Sequence, residues 1–135
     1  MDGVVLTPLK QIFNPKGDIY HALKKSDQGF SDFGEAYFST VHKNDKKGWK
    51  KHTQMVLNLV VPLGEIEFIL YDAKKQEFLS VKLSKMNYQR LTVPCGIWMA
   101  FRGMGENNML LNIASIEHDP NEAETVSIDE IKYEW

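Results

Sequence analysis

His52 stands near the start of the stretch Gly48–Asp72, with Gln54 and Asn58 following it at even spacing. An imidazole takes up and releases a proton near neutral pH, and side-chain amides orient a polar ligand by hydrogen bonding. In an extended strand alternate side chains share a face. His52, Gln54, Val56 and Asn58 are therefore expected to point one way, and Thr53, Met55, Leu57 and Leu59 the other. A polar trio with an imidazole, backed by an apolar set, suits the wall of a cavity in a closed sheet. Two readings stay open at this level: a proton-transfer site, or a hydrogen-bonded structural histidine beside amides that network within a core.

The elements around this stretch read as short strands. Pro62-Leu63-Gly64 turns it into a second strand, Glu65–Asp72. Upstream, Val4–Phe13 reads as a leading edge strand marked by Pro8, Asn14–Asp18 as a turn, and Ile19–Leu23 as a further strand. Glu35–Val41 is rich in aromatic and β-branched residues, hence a strand in which Glu35, Tyr37 and Ser39 share a face. His42–Lys47 reads as a charged loop. Downstream, strands are expected at Phe78–Leu83, Gln89–Val93, Ile97–Arg102 and Met109–Ile116, with a hairpin turn at Gly103–Asn108. Many short strands without a helical period predict an all-β sandwich or barrel. One domain is expected over 1–135, its acidic segment 117–135 packing back through Ile131, Tyr133 and Trp135.

Bulk properties narrow the function classes. With 135 residues, 43% of them hydrophobic and 25% charged, the chain has the profile of a globular protein with a real core. A net charge of −2, with Arg90 and Arg102 the arginines, gives no footprint for nucleic acid. Cys95 is the single cysteine, so no internal disulfide and no cysteine-based zinc site can form. No signal-peptide pattern and no apolar run of membrane-spanning length are found, so a cytoplasmic protein without membrane contact is expected.

Pro94-x-Gly96 lies between two expected strands, downstream of a strand histidine and the Gly64 turn. This arrangement resembles the small β-barrel called the cupin. The metal-binding cupins carry His-x-His plus Glu in the first segment and a further His three residues after that glycine. Here the first segment reads Lys50-Lys51-His52 and the later position is Met99. One imidazole without partners does not make a usual metal site, so neither a metal nor another cofactor is expected, and a metal-dependent oxygenase is disfavoured. Gly34–Val41, Lys47–Trp49, Leu57–Leu59, Leu70–Asp72, Pro94–Phe101, His118-Asp-Pro120 and Tyr133–Trp135 together resemble the bacterial group related to dTDP-4-dehydrorhamnose 3,5-epimerase and the nucleotide-sugar 3,4-ketoisomerases. The resemblance implies an RmlC-like jelly roll, a nucleotide-linked 4-keto-6-deoxysugar substrate, and a homodimer. It also implies a place in surface polysaccharide synthesis.

A ketone acidifies the C–H groups beside it, so such an enzyme needs a base and a group to hold the enolate. The resemblance makes His52 the candidate base. It puts Lys50 where the compact group carries a second histidine, and Asn112 where the 3,5-epimerases carry a tyrosine acid. An asparagine cannot deliver a proton usefully, so one-centre epimerisation or a keto–aldo shift is implied in place of two-centre epimerisation. Gln54, Asn58 and Asn112 are candidate sugar contacts. Tyr37 and Trp98 are candidate stacking platforms, with ordinary core packing as the alternative. Lys16 occupies the turn where these epimerases hold phosphate with an arginine. Lys43, Lys46, Lys47, Lys50 and Lys51 form a basic run to which a pyrophosphate would be drawn, unless it is simply a wet surface. His21, His42 and His118 receive no role. A non-catalytic sugar or nucleotide-sugar binding cupin is the second function class, favoured by the Lys50 and Asn112 departures.

Overall fold

The computed structural model describes residues 1–135. Its strands are β1 (Val5–Pro8), β2 (Gln11–Ile12), β3 (Ile19–Tyr20), β4 (Glu35–Thr40), β5 (Lys46–His52) and β6 (Leu57–Leu63). There follow β7 (Glu65–Asp72), β8 (Glu77–Ser84), β9 (Gln89–Val93), β10 (Trp98–Gly103), β11 (Met109–Ala114) and β12 (Ala123–Thr125). Two five-stranded antiparallel sheets, in the orders β1-β9-β6-β11-β4 and β12-β5-β10-β7-β8, make an all-β jelly roll, and β2 with β3 forms a small separate hairpin. No helix is long and apolar enough to cross a membrane.

Alternation along the strands builds the core. Leu57, Leu59 and Val61 of β6 face Ile66, Phe68 and Leu70 of β7 within one buried cluster between the sheets. Asn108, 3% exposed, ties the turns at one end. Its Oδ1 accepts from the amides of Glu65 (3.0 Å) and Gly105 (2.9 Å), and its Nδ2 donates to the carbonyl of Val41 (3.0 Å). The β6–β7 turn closes against it through Gly64, at φ +78°, where a Cβ would stand 2.1 Å from the carbonyl oxygen of Asn107.

A second apolar cluster lies on the outer face of the β5–β10–β7 sheet. Trp49, Ile69, Trp98 and Ala100 are buried there beneath Val126, Ile128, Ile131, Tyr133 and Trp135. Trp49 donates its indole N–H to the carbonyl of Ile128 at 3.1 Å. The C-terminal segment thereby covers a face that would otherwise be wet, and it brings β12 alongside β5, with Ala123 opposite His52.

Two expected elements divide in two: the leading strand Val4–Phe13 becomes β1 and β2, which lie in different sheets, and the central stretch breaks as well. The stretch from Gly48 to Val61 is not a continuous strand: β5 ends at His52, and β6 begins at Leu57 in the opposite sheet. The break is pinned from a distance. One carboxylate oxygen of Glu122 accepts from the amides of Thr53 (3.1 Å), Gln54 (3.1 Å) and Met55 (3.2 Å). Three successive amides turned onto one anion cannot also serve a strand ladder. The alternation that placed His52, Gln54 and Asn58 on one face therefore does not hold.

Candidate active site

Between the sheets lies a cavity of about 380 Å³, within the range of small-ligand sites. Met55, Leu57, Val93, Ile97 and Met99, all members of the main core, give it an apolar base. Its polar wall comes from Glu35, Tyr37 and Ser39 of β4, Lys47, Lys50 and His52 of β5, and Asn112 of β11; His118 and Thr125 complete it. Alternation explains the groups from β4 and β10. Glu35, Tyr37 and Ser39 face inward together, and Met99 and Phe101 enter the cavity while Trp98 and Ala100 turn outward.

His52 is fixed by a carboxylate that the strand pattern does not announce. Its Nδ1 makes a short hydrogen bond to one oxygen of Glu122, and its Nε2 has no partner within the chain. The Glu122 side chain is 2% exposed and that of His52 is 16% exposed. Burial alone would push the Glu122 carboxyl upward, but the hydrogen bonds from His52 and from the amides of Gln54 and Met55 hold it below its ordinary value. An ionised Glu122 accepts a proton-bearing Nδ1, which leaves the lone pair of the neutral ring on Nε2. That is the arrangement a general base needs.

The other polar groups differ in what they can offer. Lys50 lines the cavity and enters no ion pair. The rest of the basic run already has partners, Lys47 while still lining the wall. Lys43 pairs with Glu106 at 2.8 Å, Lys51 with Glu124 at 3.2 Å, Lys46 sits over Trp135, and Lys47 donates to the carbonyl of Thr40 at 2.6 Å. Burial and the charge of Glu35 raise the Tyr37 phenol above its ordinary value, so at neutral pH it keeps its proton and acts as a donor. Asn112 is buried and donates to Ser39 Oγ at 3.2 Å.

Of the residues singled out in the sequence, His52, Lys50, Tyr37 and Asn112 come together in this cavity, and four others lie apart from it. Gln54 is exposed on the bend after β5. Asn58 is buried on the outward face of β6, where its Oδ1 accepts from Arg90 Nε (3.1 Å) and Thr92 Oγ1 (2.6 Å) and its Nδ2 donates to the carbonyl of Gly29 (3.0 Å). Trp98 is packed under the C-terminal segment with Lys51 Nζ 5.0 Å from its ring, the outward parity of β10 placing it there. Lys16 lies in the exposed turn between β2 and β3, its amide bonded to Asn14 Oδ1 at 2.8 Å. Glu122 and His118 were missed. Glu122 belongs to a segment read only as acidic, and His118 to the quoted His-Asp-Pro motif without a role.

Two facing antiparallel sheets in jelly-roll order around a central cavity define the class, an RmlC-like cupin. Residues 2–126 match the family described as FdtA: WxcM-like, C-terminal, and the chain belongs to that family of dTDP-sugar isomerase- and ketoisomerase-like cupins. Among solved structures it is similar to a dTDP sugar isomerase from Desulfovibrio desulfuricans G20, at 32% identity and a TM-score of 0.91 over 95% of this chain and 86% of that one. It is also similar to QdtA, a sugar 3,4-ketoisomerase from Thermoanaerobacterium thermosaccharolyticum in complex with TDP, at 22% identity and a TM-score of 0.80 over 92% and 88% of the two chains. A dTDP-4-dehydrorhamnose 3,5-epimerase from Sulfolobus tokodaii matches at 18% identity and a TM-score of 0.86, over 98% of this chain and 82% of that one. The last two likenesses show the fold. No curated protein sequence matches.

Proposed function

We propose that this protein is an isomerase of a dTDP-linked 4-keto-6-deoxysugar that moves the carbonyl between C4 and C3. The observation that carries the reading is the His52–Glu122 pair: a buried carboxylate engages Nδ1 and leaves Nε2, without a partner, on a ring that lines the cavity. Nε2 takes the hydrogen on C3 as a proton, and the electrons of that bond pass through C3–C4 to the ketone oxygen. The ammonium of Lys50 and the phenol of Tyr37 steady the resulting oxyanion. The proton of the C3 hydroxyl then passes to the C4 oxygen while His52 returns its own proton to C4, which leaves the carbonyl at C3 and a hydroxyl at C4.

Carbonyl transfer suits this wall better than two-centre epimerisation. A single base can serve two neighbouring carbons from one face. Inversion needs a proton delivered from the opposite face, and Asn112 has none to deliver. The likeness to the Desulfovibrio dTDP sugar isomerase supports the substrate class. A homodimer, a cytoplasmic setting and a role in surface polysaccharide synthesis belong to the same proposal.

The test is to incubate the protein with dTDP-4-keto-6-deoxyglucose and follow the sugar by proton NMR. A 3-keto isomer is expected. Tight binding of the nucleotide sugar with neither product nor hydrogen exchange would refute the reading in favour of a binding module.

A further inference from the structure

We infer that His118 is the second proton-transfer group of this site, carrying the proton between the two sugar oxygens while His52 carries the one between the carbons. The inference rests on the isomerase reading and adds a residue that the strand pattern does not provide.

His118 lines the same cavity as His52 but comes from the segment after β11, so the two imidazoles belong to different elements. Its ring is exposed at the cavity and makes no hydrogen bond within the chain. The segment that carries it is nevertheless anchored at both ends. On one side the amide of Ser115 bonds to the carbonyl of Val56 at 3.0 Å, and the amide of Val56 bonds to Ser115 Oγ at 2.8 Å. On the other, the amide of Glu122 bonds to the carbonyl of Asp119 at 3.2 Å, and the amide of Asn121 bonds to Asp119 Oδ1 at 2.9 Å. Glu122 also holds His52. One short segment thus presents His118 and orients the other imidazole, which couples their placement without a hydrogen bond between them.

Moving a carbonyl from C4 to C3 needs two proton transfers at oxygen as well as two at carbon. As the C3 hydrogen leaves to His52, the C4 oxygen gains a negative charge that Lys50 and Tyr37 hold, and in a separate step it takes a proton from His118. In the second half the C3 hydroxyl gives its proton back to His118 as its O–H electrons form the new carbonyl, and the C3–C4 double bond takes the proton from His52 at C4. Both imidazoles finish as they began, and no redox partner is required. The group at oxygen must both give and accept a proton. Tyr37, raised by burial and by Glu35, gives a hydrogen bond but does not readily become the phenolate that would take the proton back. The Asn112 amide does neither, and Lys50 already has the task of facing the oxyanion with its charge. An imidazole does both. The charged and titratable groups around His118 are Glu117, Asp119 and Glu122 on its own segment, with Glu35, Tyr37, Lys47, Lys50 and His52 on the cavity walls.

The test separates exchange from turnover. With dTDP-4-keto-6-deoxyglucose in deuterated water, His118→Gln is expected to keep washout of the C3 hydrogen within about threefold of the unmodified protein. Formation of the 3-keto isomer should fall about 100-fold, the scale of one lost general acid–base group, with dTDP affinity unchanged. Isomer formation at the unmodified rate would overturn the inference, as would parallel loss of exchange and turnover. If the unmodified protein itself neither exchanges nor isomerises, the isomerase reading fails first and this inference falls with it.

Discussion

Replacing Glu122 by glutamine removes one charge from a buried site and changes nothing in shape. The carboxylate has two jobs: one oxygen faces Nδ1 of His52, and the other collects the amides of Thr53, Gln54 and Met55. A glutamine has a single acceptor end. If its oxygen faces the three amides, its NH2 meets Nδ1. The ring must then carry its proton on Nε2, where the base needs a lone pair. If it turns over, the NH2 meets three N–H donors. Hydrogen bonds to a charged acceptor contribute about 1.5–3 kcal/mol against roughly 0.5–1.5 for neutral ones, and a donor left facing a donor costs about 1–3. A loss of about 2–4 kcal/mol is therefore expected. Chemistry should suffer more than stability, because the wrong imidazole tautomer in a comparable buried pair costs about 10⁴ in kcat. The acid side gives a signed check. The Glu122 carboxyl lies below its ordinary value of 4.5 in the folded protein, so its contribution is complete above that pH and is lost as pH falls through the folded value. The stability gap between the unmodified protein and Glu122→Gln should narrow as pH drops below 4.5. Urea unfolding across pH, together with NMR turnover assays, measures both effects. A variant with more than about a tenth of the activity and an unchanged unfolding midpoint would refute the role assigned to this residue.

Two further outcomes follow from other parts of the molecule. Lys50→Met should lower kcat about 10- to 10³-fold, the scale of one oxyanion-stabilising group, with thermal stability intact because the ammonium has no partner to lose; steady-state kinetics beside a thermal melt would show this, and unchanged kcat would remove Lys50 from the mechanism. Arg90→Met should destabilise the fold by about 3 kcal/mol, since it strands the carbonyls of Ala22 and Gln28 and removes the ion pair with Asp27. Denaturant unfolding reads the loss directly, and a change below about 1 kcal/mol would contradict the clamp.

The fold was legible because strand periodicity is local. The inward set Glu35, Tyr37 and Ser39 follows from parity alone, as do the hairpin ends at Gly64 and Gly103–Asn108. The same rule misled between His52 and Leu57, because what bends the chain there is a carboxylate some seventy positions away, at Glu122. Asn58 shows a similar long-range effect. Its Oδ1 meets Arg90 and Thr92 of the neighbouring β9, and its Nδ2 meets the carbonyl of Gly29, which arrives only once the loop before β4 has folded over the sheet. Trp98 could have been placed by noticing that Met99 and Phe101 claim the inward parity of β10. Glu122 could not, since nothing near it in the chain marks it from the other acidic residues of its segment.

The central claim is that His52, held by Glu122, removes the hydrogen beside the ketone. Following loss of the C3 proton signal from dTDP-4-keto-6-deoxyglucose in deuterated water tests it with the fewest intervening assumptions. The unmodified protein should show steady washout, and folded His52→Asn protein that still binds dTDP should show none above background. Washout by that variant at the unmodified rate would contradict the account.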